Sequence, residues 1–230
     1  MKAILLSAGY GTRLRPITNK TPKCLVKIKE QPILDIWLET LDRAGIDSYL
    51  INSHYLHEMV KQHCKNSKFK DKIFLTYEKE LLGTAGTLIK NLDFFEQQDG
   101  ILLHTDNYFK SDFKKFIYAH KNRPQNCLMT MIVFKTKNPE DCGICKINDK
   151  KIMVDFFEKE KNFKGNIANG AVYILSSELI KKIKTNFSKA KNFSTEILPH
   201  LKNRVFCYET KDIFIDIGSQ SSYFEANKLS

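Results

Sequence analysis

No apolar run in this 230-residue chain approaches the roughly 20 residues that a membrane-spanning helix needs. A helical membrane span is therefore excluded. The chain also lacks any stretch rich in proline, glycine or serine that would read as a linker, and it has no internal repeat, so one domain over 1–230 is the economical organisation. No export signal is recognisable. Met1 to Gly9 resembles a leader only superficially, because its apolar stretch is short and Tyr10-Gly11-Thr12-Arg13 interrupts it. That segment reads as a buried first strand, and the cytoplasm is the expected compartment.

A disulfide framework is not expected from the six cysteines of a cytosolic chain this long. Cys142-Gly143-Ile144-Cys145 is a lone CxxC without a second pair or a histidine pair at zinc spacing. It reads as two residues on one strand of a hairpin. The net charge is +11, yet the lysines are scattered in small clusters such as 65–72 and 159–164. There is no basic stripe interleaved with aromatics and no nucleic-acid module, so nucleic acid is not an expected partner. A positive field of this kind suits phosphorylated small molecules.

What is present begins with a near-continuous apolar run at 2–7, the pattern of a strand buried on both faces. Residues 8–22 form a loop. Pro32 is placed as the first-turn proline of a helix whose apolar positions are Ile33, Ile36, Trp37, Leu41 and Ala44, stopped by Gly45. Trp37 lies on that apolar face and reads as core. Strands at 48–52, 73–77 and 100–104 then alternate with helices at 55–64, 83–92 and 111–120. This alternation predicts βαβ units around a parallel sheet. Strands at 128–135, 143–147, 151–158 and 171–175, with a turn at 148–150, add antiparallel pieces in the second half. Ser176 caps a helix to about 184, Ser194 caps another that ends near Pro199, 214–217 is a last strand, and Ser219 caps a final helix.

The most informative segment is Ala8-Gly9-Tyr10-Gly11-Thr12-Arg13-Leu14-Arg15-Pro16-Ile17-Thr18, followed by Pro22-Lys23. Glycines let a backbone approach phosphates, and Arg13 and Lys23 add fixed positive charge. The segment is not a P-loop, which needs Gly-x-x-x-x-Gly-Lys-Ser/Thr. It is not a dinucleotide fingerprint either, because Leu14 stands where the third glycine belongs. A nicotinamide oxidoreductase is disfavoured on that ground.

Gly-x-Gly-Thr-Arg, then Pro-x-Thr, then Pro-Lys behind an N-terminal strand resembles the signature of the sugar-1-phosphate nucleotidyltransferases, the NDP-sugar pyrophosphorylases. One departure is Cys24, where a proline usually follows Pro-Lys; it is read as altering loop rigidity rather than chemistry. The resemblance covers nearly the whole chain. It implies a Rossmann-like three-layer α/β/α fold with a central mixed, mostly parallel sheet and a small antiparallel addition. It also implies a nucleotide-binding half at 1–120, a sugar-phosphate-binding half at 121–230, and magnesium.

Residue by residue, the resemblance implies nucleotide binding by Ala8, Gly9, Gly11, Thr12, Arg13 and Lys23, with Arg13 and Lys23 catalytic. Glu78 and Gly83-Thr84-Ala85-Gly86 match the base-recognition loop. Asp106 and Asp216 match the two metal motifs, Ser219 standing where threonine is common. Asn107, Glu158, Lys159, Asn169, Gly170 and, more weakly, Glu196 match the sugar-phosphate segments. Position also favours the two acids as ligands: ligands of open α/β sheets bind beyond the carboxyl ends of strands. His54 and His104 are read as packed or hydrogen-bonded residues without proton transfer. The implied reaction joins a nucleoside triphosphate to a sugar 1-phosphate, releases pyrophosphate and supplies an NDP-sugar for surface polysaccharide synthesis. GTP and a mannose- or heptose-type sugar are favoured. Cytidylyl or uridylyl transfer, a glucose- or phosphocholine-like acceptor, and a non-catalytic nucleotide-binding protein are the alternatives. The expected partners are the triphosphate and the sugar phosphate, with a homodimer as the assembly to test.

Overall fold

A computed structural model describes residues 1–159 and 165–229; most of the basic cluster at 159–164 falls outside them. The elements in chain order are β1 (Lys2–Leu6), β2 (Lys27–Ile28), β3 (Gln31–Pro32), α1 (Ile33–Arg43), β4 (Ser48–Ser53), α2 (His57–Asn66), β5 (Ile73–Tyr77) and α3 (Gly83–Lys90). There follow β6 (Gly100–His104), β7 (Asn107–Lys110), α4 (Phe113–Lys121), β8 (Met129–Lys135), β9 (Gly143–Ile147) and β10 (Met153–Glu158). The chain then forms β11 (Ile167–Leu175), α5 (Ser177–Asn186), α6 (Phe193–Glu196), β12 (Val205–Glu209), β13 (Ile213–Asp216) and α7 (Gln220–Leu229). Two compact units contain them: Met1–Leu81 with Leu103–Phe113 and Asp212–Ser230, and Leu82–Leu102 with Lys114–Lys211. No helix among the described residues is long and apolar enough to cross a membrane.

In the first unit β1, β4 and β5 form a parallel ladder, Ala3 opposite Tyr49 and Tyr49 opposite Ile73. The expected βαβ winding is therefore present. Ala3, Ile4 and Leu5 are fully buried, which is why β1 carries no polar alternation. Helix α1 buries Ile33, Leu34, Trp37, Leu38 and Leu41 along one face. It stops at Gly45, whose φ of +81° suits glycine. Trp37 is core: its ring stacks on Phe109 at 5.8 Å, and its Nε1 donates to the Asn107 carbonyl at 2.8 Å. Pro32 is not inside the first turn. It is the N-cap and pairs with Lys27 in the short β2–β3 ribbon, so it precedes the helix. Helix α2 begins at His57 rather than at 55, because Leu56 takes the left-handed conformation, with φ of +50°.

The second unit centres on β11, antiparallel to β8 and β9, with β12 parallel to β8 and β9–β10 a hairpin. Asn148 makes that hairpin turn: its Oδ1 accepts the N–H groups of Lys150 and Ile152, both at 3.0 Å. Cys145 lies on β9 and Cys142 just before it, and no disulfide joins any of the six cysteines. Ser176 caps α5 as expected, accepting the Leu179 N–H at 3.1 Å. Ser194 is not a cap. Asn192 takes that place and accepts the Thr195 N–H at 3.1 Å. Ser219 caps α7 by accepting the Ser222 N–H at 3.2 Å. Strands β7 and β12 have no counterpart in the sequence reading, and β11 starts four residues earlier than expected.

Candidate functional site

In the first unit the chain leaves β1 through buried Ser7 and Ala8 and emerges at Gly9 and Tyr10. Gly11 then turns with φ of +64°, and a Cβ there would come within 2.9 Å of Thr18 Cγ2 and 3.2 Å of Lys23 Cβ. Conformation and space both call for glycine. The Thr18 hydroxyl donates to the Gly11 carbonyl at 2.7 Å, closing the loop on itself. Thr12 to Leu14 make one helical turn, in which Leu14 is fully buried while Thr12 and Arg13 stay exposed. Leu14 thus anchors the loop where a dinucleotide fingerprint would require a third glycine. Arg13 nevertheless has a defined neighbour. A Cβ on Gly218 would lie 3.0 Å from Arg13 Nη2 and 2.9 Å from Asp216 Oδ1, so Gly218 is the gap in which that guanidinium and carboxylate stand.

Lys23, Asp106 and Asp216 come together for a backbone reason. Strands β7 and β13 pair antiparallel with Asp216 opposite Asn107, and the Ile217 N–H donates to the Asp106 carbonyl at 2.9 Å. The Lys23 ammonium is hydrogen-bonded and ion-paired to Asp106, and it lies 3.9 Å from an Asp216 oxygen. Burial works against the Asp106 charge, but the Lys23 ammonium, His104 and the Lys23 hydrogen bond hold its pKa below the usual carboxylate range. Asp216 goes the other way: desolvation and the adjacent Asp106 charge lift it to about 6, against Lys23 and Arg13. The pair therefore carries negative charge that one ammonium does not fully balance. His104 is held below its ordinary value by burial.

Among the described residues no group of three or more His, Cys, Asp or Glu is arranged for a metal ion. The two carboxylates still fit magnesium, which typically takes one or two protein carboxylates and completes its shell with phosphate oxygens and water. Cys24, the departure in the signature, is buried beside Cys64, and burial pushes its thiol up to about 12. It is packing material with no reactive thiolate.

Glu78 is buried, and its Oε1 accepts from Asn52 Nδ2 at 2.9 Å while Asn52 Oδ1 accepts the Ser7 N–H at 2.7 Å. Its carboxylate is thus tied to the end of β1. The buried Asn107 side chain donates to the His104 carbonyl at 3.4 Å and shapes the turn after β6.

In the second unit Gly83 opens α3 with φ of +78°, and a Cβ there would fall 2.3 Å from the Lys191 carbonyl oxygen. That same oxygen accepts the Ala85 N–H at 3.0 Å, so this N–H is not free to read a base. The Thr84 hydroxyl accepts the Phe193 N–H at 2.8 Å. Gly86 is also close-packed, its added Cβ meeting Leu82 Cβ at 3.1 Å. The 191–193 segment is itself held by Glu196, whose Oε1 accepts the N–H groups of Lys191 and Asn192 at 3.1 and 2.8 Å. Glu196 therefore orders the 83–86 loop through its partner segment.

Asn169 donates to the Tyr173 hydroxyl at 2.9 Å and accepts the Ala171 N–H at 2.8 Å, bridging the register shift of β11 around buried Gly170. Glu158 ends β10 close to Gly143, where an added Cβ would meet its Oε2 at 2.7 Å. Burial raises its pKa and Lys159 opposes that shift. Lys159 is exposed, has φ of +53°, and donates its N–H to the Cys142 carbonyl at 3.3 Å.

Three residues with defined contacts escaped the sequence reading: Asn52 behind Glu78, Gly218 beside Arg13, and Tyr55 after β4; His54, read as a hydrogen-bonded residue, is one. For Asn52 and Tyr55 the signal is the polar run Asn52-Ser53-His54-Tyr55 at the carboxyl end of an apolar strand, where α/β sheets place ligands.

The profile of the nucleotidyl transferase family matches residues 2–230. A Campylobacter jejuni protein named D-glycero-alpha-D-manno-heptose 1-phosphate guanylyltransferase is 30% identical, with 97% of each chain covered. A Xenopus tropicalis mannose-1-phosphate guanylyltransferase catalytic subunit beta is 28% identical over 97% of this chain and 62% of its own. The chain spans about three fifths of the length of the mannose-type relatives, 62% and 60% in two of them. Among solved structures, HddC from Yersinia pseudotuberculosis complexed with GMP-PN has a TM-score of 0.81 at 25% identity, covering 99% of this chain and 98% of that one. The chain shares the Rossmann-like α/β fold of these neighbours and has a mixed, mostly parallel sheet, as expected.

Proposed function

Because the chain belongs to the nucleotidyl transferase family, we propose that it joins GTP to a mannose- or heptose-type sugar 1-phosphate and releases pyrophosphate. The observation that carries the reading is the cluster of Lys23, Asp106 and Asp216 beside the Gly11-Thr12-Arg13 turn. Such a cluster suits a reaction between two polyanions. The base and sugar are taken from the names of the Campylobacter relative and the Yersinia structure, both matched over almost their full lengths.

The sugar-phosphate oxygen that attacks the α-phosphorus is already anionic, so no general base is required. Catalysis then consists of alignment and charge neutralisation. The N–H groups of the Ala8–Thr12 loop bind the triphosphate. Arg13 stabilises the departing pyrophosphate, and Lys23 the charge that develops at the α-phosphate. In this reading Lys23 exchanges its carboxylate partners for phosphate oxygens when the substrate binds. Asp106 and Asp216 would hold magnesium, which would supply positive charge where phosphate charge develops. Lys159 holds the sugar phosphate. For the sugar the reading assigns Asn107 in the first unit and Glu158, Asn169 and Gly170 in the second, where Glu196 supports the 83–86 loop. For the base the reading assigns Glu78 in the first unit and the 83–86 segment in the second, apart from the Ala85 N–H, which the Lys191 carbonyl already holds.

The test is a pyrophosphate-release screen of GTP, ATP, CTP and UTP against a panel of sugar 1-phosphates with magnesium. GTP with a mannose- or heptose-type sugar is expected to turn over fastest. Release with no pair at all would sink the proposal.

A further inference from the structure

Glycine sets little intrinsic backbone restraint, and Gly9 has open space around it, whereas Gly11 is held by Thr18 and Lys23, so the stretch between them is tied down from one side only by the loop itself. Tyr10 stands between these glycines, and its side chain ties the stretch down. Its hydroxyl lies 3.0 Å from His54 Nε2, and the two rings meet edge to face at 5.4 Å. His54 is fixed in turn. Its Nδ1 lies 2.8 Å from the Glu78 carbonyl oxygen, which can only accept. The ring proton therefore sits on Nδ1, and Nε2 accepts from Tyr10.

The next residue reaches the far arm of the same loop. The Tyr55 hydroxyl donates to the Asn19 carbonyl at 3.2 Å, and its ring packs 5.7 Å from that of Tyr10. A hydrogen-bonded circuit results: Ser7 N–H to Asn52, Asn52 to the Glu78 side chain, the Glu78 carbonyl to His54, and His54 to Tyr10. It leaves the end of β1 and returns three residues later.

We propose that His54 and Tyr55 are positioning residues that clamp the signature loop at Tyr10 and Asn19 and so set the affinity for the nucleoside triphosphate. The inference rests on the nucleotidyl-transfer reading above. Its physical basis is preorganisation. A glycine-flanked loop left free must lose conformational entropy each time it closes on phosphate, whereas a loop already held loses less. Neither residue touches the reacting atoms in this account. Their removal is expected to weaken triphosphate binding selectively.

Calorimetric titration of the full chain with GTP and magnesium, alongside steady-state kinetics, tests this. Tyr10→Phe, His54→Ala and Tyr55→Phe are each expected to weaken GTP binding and raise its KM about three- to ten-fold, the scale of one lost hydrogen bond. The KM for the sugar phosphate should stay within about two-fold, since that substrate does not use the loop. The Tyr10→Phe/His54→Ala double variant should be no weaker than His54→Ala alone, because both remove one contact. His54→Gln, which keeps a polar end near Tyr10, should recover part of the affinity.

Variants that bind GTP as tightly as the wild type would overturn the clamp and leave the proposed function standing. So would a fall in kcat and melting temperature with KM unchanged, the mark of a merely structural role. A wild-type chain that binds none of the four nucleoside triphosphates would overturn the function and the clamp together.

Discussion

Lys23 and Asp106, 83 residues apart in the chain, form an ion pair, and the same ammonium lies 3.9 Å from Asp216. One ammonium thus serves two carboxylates, and desolvation, together with the adjacent Asp106 charge, lifts Asp216 to about 6 against Lys23 and Arg13. An arrangement of this kind is poised for added positive charge and for anionic substrate.

Lys23→Ala and Asp106→Asn should each lower pyrophosphate release by about 100- to 1,000-fold, the usual effect of removing one charge from a phosphoryl- or acyl-transfer site. The comparison is kcat/KM for GTP and the preferred sugar phosphate under saturating magnesium. Turnover within a few-fold of wild type would remove Lys23 and Asp106 from the mechanism.

Gly218→Ala tests the position of Arg13. The new methyl would stand 3.0 Å from Arg13 Nη2 and 2.9 Å from Asp216 Oδ1. Arg13 is exposed and can move aside, so the fold should survive with a melting temperature within a few degrees of wild type. The displaced guanidinium should cost about ten-fold or more in kcat/KM.

Gly83→Ala tests stability instead. It combines a left-handed φ of +78° with a 2.3 Å approach to the Lys191 backbone oxygen, which cannot rotate away. Denaturant unfolding should show a loss of about 1–3 kcal/mol. Glu196→Ala, which strips an acceptor from two N–H groups of the facing segment, should lose about 1–3 kcal/mol by the same measurement. An unchanged midpoint for either variant would contradict the close docking of the 83–86 loop on 191–193.

His120 and Asp99 each withdraw stability on acidification. His120 is 1% exposed, with Thr130 at 2.8 Å on Nδ1 and Asp99 at 3.1 Å on Nε2, and burial lowers its pKa. A histidine depressed in the folded state takes up its proton more readily when unfolded. Its contribution is complete above the ordinary value of about 6.5 and is lost as pH falls below it. Asp99, held below its ordinary range by the His120 hydrogen bond, acts in the same direction at lower pH, its contribution fading as pH drops past about 3.9. Asp216, lifted to about 6, acts in the opposite sense over the same range, so His120 is read as a difference: between pH 7.5 and 5.5 the wild type should lose more melting temperature than His120→Gln. An equal slope in wild type and variant would assign the acid sensitivity elsewhere.

Local chemistry made much of this molecule legible in advance. The apolar run of β1, the 3.6-residue stripe of α1 with Gly45 behind it, and the Asn148 turn each depend on neighbours a few residues away. Strand β7 was not legible. It is four residues long, and it exists because β13, roughly a hundred residues later, supplies its partner groups. Cap positions slipped where two polar residues competed, as Asn192 did with Ser194, and the sheltering fold decided between them.

By itself the sequence determined the α/β winding, the glycine-and-basic loop and the residue types a polyphosphate requires, because backbone preference and charge are properties of short segments. Only the tertiary structure decided that Asp216 meets Asp106 through a two-strand ribbon, that Lys23 serves both, and that His54 and Tyr55 hold the loop. Those relationships join residues 36 to 193 positions apart, far beyond the three or four residues over which helical or strand periodicity carries information.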